Sequence, residues 1–406
     1  MIMRILMLNH NLRGRGTWHR AWHLARHLAR RGHRVTLWTA APHHYFRKAG
    51  ECVEGVRVIE TPSWAPLAGP DDGWGPLDLA WRLLHIPFEP FDLCYAFAHP
   101  PNVSWPARVA RRIRRRPLVY DWCDWYEGGV FPLRRAIRDQ RLVPGRERPL
   151  QGIAERREVA MERRMVRMAD RITVISNFLR RQALAAGRRP DEVMLLPNGA
   201  DLDGIQPLDL AAARAGLGLT PERTWLGYVA NYHPDQQLLL EAFARARTRV
   251  PGLGLIKTGP PFSPALMDRL GLAGAVRDLG RVPVQQLPQV LAASDALLLP
   301  LADTPANRAR VPYKFTDYLA AGRPIVTCRV GDLATLFDAP GEQGPIGRAA
   351  SPCPEALAEA IVGIALATPH ERARMGRAAR ALACRRFDWS VLTDRLESFL
   401  ETWPKP

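Results

Sequence analysis

The feature that most constrains this chain is a rhythm that starts twice. Short β-branched or Leu-rich runs alternate with Ala-, Arg- and Leu-rich helical text. In the first half, RILML (4–8), RVTLWT (34–39), VRVIE (56–60), DLCYAF (92–97), PLVYDW (117–122), RITVIS (171–176) and EVMLLP (192–197) read as strands. WLGYVAN (225–231), LGLIKTG (253–259), VRDLG (276–280), ALLLP (296–300) and PIVTC (324–328) restart the pattern. Strands separated by helices predict parallel sheets with helices on both faces. The expected fold class is α/β, with two Rossmann-like doubly wound domains facing each other across a cleft. Open sheets of this kind bind ligands at the carboxyl ends of their strands. The expected boundaries are a first domain at 1–203, a linker at 204–221, a second domain at 222–385, and a C-terminal helix at 386–406 packing back on the first domain.

Composition narrows the function classes. With 47% hydrophobic and 24% charged residues the chain is globular, and no apolar stretch approaches the ~18 residues of a membrane span. MIMRILMLNHN reads as a first strand and not as a signal peptide. Six cysteines lie scattered without a C-x-x-C pair, which fits reduced thiols in a cytoplasm and neither a disulfide framework nor zinc. The net charge of +17 concentrates in Arg108–Arg116, Arg134–Arg148 and Arg156–Arg171. An anionic membrane surface at the inner face, a phosphorylated substrate and nucleic acid all suit such clusters. So does a coding bias, because 53 of the 57 basic residues are Arg. No helix-turn-helix, zinc module or RNA motif is recognisable, so nucleic acid is not an expected partner.

Near the start, NLRGRG (11–16) sits between the first strand and a helix from Thr17 to Arg31 that stops at Gly32. Thr17 reads as its N-cap and Gly32 as its C′ glycine. Trp18, Ala21, Trp22, Ala25, Leu28 and Ala29 share one face. His19, His23 and His27 share the other with Arg30, and that row reads as solvated surface. The glycine loop is neither G-x-G-x-x-G nor a P-loop, although a loop in this place can bind phosphate.

The chemistry gathers in VPYKFTDYLAAGRPIV (311–326). A helix after ALLLP and its loop aims its N-terminus at the strand ends, where the macrodipole and free N–H groups favour phosphate. Arg308, Arg310 and Lys314 add cations at the same place. Asp317, one turn on, suits the vicinal hydroxyls of a ribose or sugar. Together they fit a nucleoside diphosphate; the alternative is a weak i, i+3 surface ion pair.

This segment resembles the nucleotide-sugar site of GT-B glycosyltransferases of family four, the group 1 enzymes. Their P-x-K-x-x-E-Y-L-A-A-G-x-P-V-V is similar to P-Y-K-F-T-D-Y-L-A-A-G-R-P-I-V here. RGHRVTLWT, ADRITVISNF, LLPNGADL and RDLGRVPVQQLPQVLAASDALLLP resemble the family's phrases in the same order. The resemblance implies transfer of a sugar from a nucleotide donor, usually UDP- or GDP-linked, to a cell-envelope, lipid-linked or polysaccharide acceptor. It further implies retention, no obligatory metal and no cofactor. The donor would meet Asp317, Lys314, Arg308, Arg310, Asn307, Tyr313 and Asn231, with Gly14 and Gly16 approaching its diphosphate. Asp124, Asp121 and His99 would be the catalytic candidates, and Trp122, Trp125 and Tyr126 the acceptor-stacking ones. The alternative for DWCDWYE is a carboxylate metal site, against which its D-x-x-D spacing speaks. The chain also departs from the pattern. Ala309 stands where the first of two acids is expected, Asn231 and Gln236 or Gln237 replace an Arg and a Lys, and Cys123 replaces a His. These departures keep open a GT-B-shaped nucleotide- or anion-binding protein without transfer activity.

Overall fold

The computed structural model describes residues 2–42, 46, 48–64, 73–131, 151–230, 234–338 and 344–402. The chain divides into two compact units, residues 1–132 with 146–197 and 389–406, and residues 133–145 with 198–388.

In the first unit the strands are β1 (Arg4–Leu12), β2 (Arg34–Ala40), β3 (Ala49–Val53), β4 (Val56–Thr61), β5 (Leu93–Phe97), β6 (Leu118–Trp122), β7 (Arg171–Val174) and β8 (Val193–Leu195). They form one sheet in the order β3-β4-β2-β1-β5-β6-β7-β8. All neighbours are parallel except β3 and β4, which pair as a hairpin. Its turn residues Glu54 and Gly55 have φ of 46° and 80°, the positive values a two-residue hairpin demands. β5 and β6 are buried at every position, and β1 at every position after Arg4, because helices cover both faces of a parallel sheet.

One buried ion pair joins the sheet to its first helix, Trp18–Arg30. Arg20 and Asp121 are 1% and 0% exposed and meet in a bidentate pair at 2.8 and 2.9 Å. Arg20 also donates to the carbonyls of Leu196 and Pro197, and the Thr173 hydroxyl donates to Asp121 at 2.6 Å. One guanidinium therefore ties the helix to β6 and to the chain leaving β8.

The histidine row is not solvated surface. His23 and His27 are buried, and the His23 ring stacks on Trp389 at 5.1 Å. The cause is the C-terminal helix Trp389–Glu401, which packs against this helix and pairs Asp394 and Glu397 with Arg31, and Glu397 with His33. Thr17 holds the N-cap position without capping, because its hydroxyl faces the Asn9 and Asn11 side-chain oxygens.

The second unit contains β9 (Trp225–Tyr228), β10 (Gly254–Lys257), β11 (Val276–Asp278), β12 (Ala296–Leu299), β13 (Ile325–Cys328) and β14 (Gly347–Ala350). The order is β11-β10-β9-β12-β13-β14, all parallel. β9 leaves its sheet beside β12, so the loops after both strands open at one place. The chain already belongs with this unit from Asn198, six residues before the boundary read from the sequence. The Asn198 amide donates to the Val311 carbonyl at 3.0 Å and the Ala200 N–H to the Phe387 carbonyl at 2.6 Å.

Removing Arg20 leaves the Asp121 carboxyl group buried without its cationic partner. Arg20→Met should destabilise the protein by about 3–5 kcal/mol in urea unfolding, and Arg20→Met/Asp121→Leu should recover most of that. A single variant within about 1 kcal/mol of wild type would show that the pair does not hold the unit.

Candidate functional site

The site in the second unit is built on β12, the following loop and the helix Tyr313–Ala320. A short helical turn, Pro305–Arg308, interrupts the loop; Thr304 caps it by accepting from the Asn307 N–H, and Pro305 fits its first position. Pro312 starts the next helix from extended backbone. That helix is fixed to the end of β9, where the Val229 N–H donates to the Tyr318 hydroxyl at 3.0 Å. On its other side Phe315 packs against Phe337 and Phe387.

Asp235 organises the loop. It occupies the N-cap position of the helix Gln236–Arg249 but makes no capping hydrogen bond there. Its carboxylate instead accepts from the Ala302 N–H at 3.1 Å and from the Asn307 amide at 3.3 and 3.4 Å, with Arg310 at 3.9 Å. Asn307 completes the clamp, donating to the Ala302 carbonyl and accepting from Arg310 at 2.5 Å. Burial holds the Asp235 carboxyl above its ordinary range, partly offset by Arg310, the Ala302 N–H, Asn307 and Lys314.

Lys314 and Asp317 follow on the helix, both only partly exposed. The Lys314 ammonium lies 5.1 Å from the Tyr228 ring centroid, and no hydrogen-bond partner holds it among the described residues. Its pKa is lowered to about 7, by burial first and then by Arg310, with Asp235 acting the other way. The Asp317 pKa is raised to about 7 by burial and by the neighbouring Asp201. A carboxylate and an ammonium one turn apart, each costly to keep charged, form a place where ligand charges and hydroxyls replace lost water. They are not the weak surface pair.

The other expected donor contacts divide. Arg310 joins Lys314 around Asp235, whereas Arg308 is exposed and forms a bidentate pair with Asp303 at 2.5 and 2.6 Å. Asn307 is 1% exposed with its amide committed to the loop clamp, so it is structural and not a sugar contact. Tyr313 opens the helix, half-buried. Asn231 lies outside the described residues.

In the first unit the expectations need more correction. Asp121 is a structural anion, since its carboxylate is enclosed by Arg20 and Thr173; the metal reading of DWCDWYE loses this ligand for the same reason. Among the described residues no group of three His, Cys, Asp or Glu side chains has a metal-holding arrangement. Trp122 and Tyr126 are wall residues, 5% and 8% exposed, and not open stacking faces. Trp125 is half-buried beside Phe178, with its ring over Gly128, where a Cβ would collide with it. Asp124 alone of the two acids is exposed. His99 is fully buried, with Nδ1 at 3.0 Å from the Tyr120 hydroxyl and no partner for Nε2 among the described residues. Its pKa is lowered to about 3, chiefly by burial, so the imidazole is neutral. Gly14 and Gly16 have φ of 74° and 53°. At Gly16 a Cβ would strike the Asn11 side chain, which accepts from the Thr17 N–H.

Of the basic clusters, Arg134–Arg148 lies outside the described residues. In Arg108–Arg116, Arg111 pairs with Asp170 and Arg114 donates to the Pro87 and Glu89 carbonyls, while Arg112 and Arg115 are exposed. Two acids escaped the sequence reading. Asp235 stands immediately before QQLLLEAF, a capping signature inside a phrase read for its missing cations. Glu162, 1% exposed, accepts from the Trp122 indole and the Tyr126 and Glu127 N–H groups and shapes the DWCDWYE loop. The spacing of Glu155, Glu158 and Glu162 on one helix face was its signal.

The two shifted groups of the helix set opposite slopes. Asp317, with its folded pKa raised, binds more protons folded than unfolded between about pH 4 and 7, so its contribution falls as pH rises through that window. Lys314, with its folded pKa lowered, opposes folding below about pH 7 and does so less as pH rises toward 10.5. Melting temperature against pH should therefore lose its acid-side slope in Asp317→Asn and its alkaline-side slope in Lys314→Met. Unchanged profiles would show that neither group is desolvated.

Residues 15–199 match the family model described as Glycosyl transferase 4-like domain, and residues 223–366 match Glycosyl transferases group 1. The D-inositol 3-phosphate glycosyltransferase of Segniliparus rotundus is 31% identical over 217 residues, 51% of this chain and 46% of that protein. The chain spans about half the length of the curated relatives it matches first. Sucrose-phosphate synthase from Thermosynechococcus elongatus superposes with a TM-score of 0.74 at 17% identity, covering 98% of both chains. HepE of Anabaena, in complex with UDP and glucose, superposes with a TM-score of 0.68 at 20% identity, covering 99% of this chain and 100% of that one. These likenesses show the fold. With its two parallel-sheet Rossmann-like units and both family matches, the chain belongs to the group 1, family-4-like glycosyltransferases of the GT-B fold.

Proposed function

We propose that this chain moves a sugar from a nucleoside-diphosphate sugar to a cell-envelope, lipid-linked or polysaccharide acceptor. The second unit takes the donor and the first unit the acceptor. In the reaction the bond between the anomeric carbon and the diphosphate oxygen breaks, a bond from that carbon to an acceptor hydroxyl forms, and the hydroxyl proton departs.

The observation that carries this reading is the juxtaposition of Arg310, Lys314 and Asp317 at the start of the helix Tyr313–Ala320. Arg310 and Lys314 suit the diphosphate, whose negative charge grows as it leaves, so fixed cations lower the barrier. Asp317 suits the ribose hydroxyls. The HepE structure holds UDP and glucose on the same fold, which favours a uridine nucleotide first, with guanosine next. Retention and independence of metal belong to the reading through the family resemblance. Because Ala309 is apolar and 3% exposed, the sugar cannot be gripped by a carboxylate at that position. Asp124 is the exposed acid left in the first unit's DWCDWYE loop to orient an acceptor hydroxyl.

The test is a thermal-shift panel of UDP, GDP, TDP, ADP and CDP with wild type and Asp317→Ala. A ligand at a hundred times its Kd stabilises the fold by about 2.7 kcal/mol. One nucleotide should raise the melting temperature, and the variant should lose that rise. The matching donor should then release its nucleoside diphosphate only when acceptor is added. No shift at millimolar concentration sinks the donor site, and binding without acceptor-dependent release favours a binding protein without transfer activity.

A further inference from the structure

Three helices of the first unit, Pro76–His85, Pro101–Arg112 and Gln151–Met168, lie side by side. Arg82 of the first donates to the Asn102 carbonyl at 3.0 Å, and the Ser104 hydroxyl meets the Met161 sulfur at 3.4 Å. Of the acids on these helices, Asp78, Glu158 and Glu162 are buried and Glu155 is half-buried, so none is exposed. The outer faces carry cations. On the middle helix Trp105, Arg108 and Arg112 recur at i, i+3 and i+7, with the Arg108 guanidinium 5.5 Å from the Trp105 ring centroid. On the last, Ile153, Arg157, Arg164 and Arg167 share one exposed face. Arg112, Arg157, Arg164 and Arg167 have no ion pair among the described residues. Coding bias alone does not account for that, because exposed arginines elsewhere are matched by acids: Arg30 by Glu54, Arg189 by Asp191 and Arg249 by Glu359. The same face exposes large apolar side chains. Arg114 donates to the Pro87 and Glu89 carbonyls, which sets Phe88, 84% exposed, beside Ile113, 71% exposed. Trp105 is 47% exposed.

We infer that this three-helix face docks on an anionic lipid bilayer, its arginines at the phosphate headgroups and Phe88, Trp105, Ile113 and Ile153 entering the interface. Charge and apolarity select the partner together. Helices with outward cations and no exposed acid attract a negatively charged surface, and each arginine near an anionic membrane strengthens binding about fivefold. A soluble polyanion would satisfy the arginines and leave Phe88 and Ile113 in water. A bilayer takes both, since guanidinium groups pair with phosphate oxygens while the headgroup boundary accepts aromatic and aliphatic side chains. Exposed apolar side chains gathered within a polar rim mark such a contact, whereas scattered ones do not. The inference stands apart from the donor reading, because none of these residues belongs to the donor site. For a lipid-linked acceptor it brings the first unit to the surface that holds the acceptor.

The experiment is vesicle co-sedimentation of the full chain with phosphatidylcholine alone and with phosphatidylcholine containing one-third phosphatidylglycerol, at low and high salt. Wild type should bind the anionic vesicles and not the neutral ones, and salt should weaken that binding. Arg112→Gln/Arg164→Gln/Arg167→Gln should lose about a hundredfold in affinity, as three cations at about fivefold each require. Phe88→Ser/Ile113→Ser, which leaves the charge unchanged, should lose about tenfold or more. Melting temperature confirms that each variant is folded; if a combined variant is not, its single substitutions are measured. Equal binding to both vesicles, no binding to either, or an arginine variant that binds as wild type overturns the proposal. A double-stranded DNA oligonucleotide is titrated in parallel without lipid. If it binds as tightly as the anionic vesicles, and Phe88→Ser/Ile113→Ser changes neither affinity, the face is a general polyanion site and the bilayer reading fails.

Discussion

Everything proposed for the second unit depends on a buried carboxylate that does not cap its own helix. Asp235 gives its oxygens to the Ala302 N–H and the Asn307 amide. The loop after β12 is thereby held at both its first residues and its helical turn, and Arg310 is brought to Asn307. Without that anchor the loop would have to satisfy its backbone with water, and the helix Tyr313–Ala320 would begin from an unfixed position. The anchoring is costly, since a carboxylate away from water is disfavoured unless its hydrogen bonds and nearby cations compensate. Here the cations that compensate are the ones a diphosphate would use. Stability of the loop and its suitability for an anionic ligand are therefore set by the same charges.

The first unit solves a similar problem differently. Arg20 and Asp121 are both fully enclosed and meet at hydrogen-bond distance, with the remaining donors and acceptors satisfied by Leu196, Pro197 and Thr173. That pair is complete, so it is architecture. The cluster around Asp235 is looser: Arg310 stands 3.9 Å from its carboxylate, and Lys314 has no hydrogen bond among the described residues. Burial alone does not distinguish the two; the distance between guanidinium and carboxylate does.

Much of this was legible in the sequence because parallel sheets write themselves as apolar runs between helices. Elements without that signature were harder. β3 is exposed along most of its length and β14 is only partly buried, so neither AGECV nor GRAA carries a strand-like pattern. The helical face of His23 and His27 was misread because the element that covers it, Trp389–Glu401, comes from the far end of the chain. Lys314, Arg310 and Asp317 were visible as charges in apolar text at the end of a strand. Asp121, Trp122, Tyr126 and Asn307 looked equally functional, but whether a polar or aromatic side chain at a strand end turns inward or outward depends on partners remote in sequence. Asp121 found Arg20, Asn307 found Asp235 and Trp122 found Glu162. Asp235 carries no such signal, because an acid ahead of QQLLLEAF reads as an ordinary helix cap.

The central claim is that the loop after β12 and the start of the helix Tyr313–Ala320 receive a nucleoside diphosphate. Amide hydrogen exchange, read by mass spectrometry with and without saturating nucleotide, tests it most directly because it locates binding along the chain. The account predicts slower exchange in peptides spanning residues 300–320, with the segment around Asp235 also protected. Exchange that slows only elsewhere in the chain, with residues 300–320 unchanged at saturation, would contradict it.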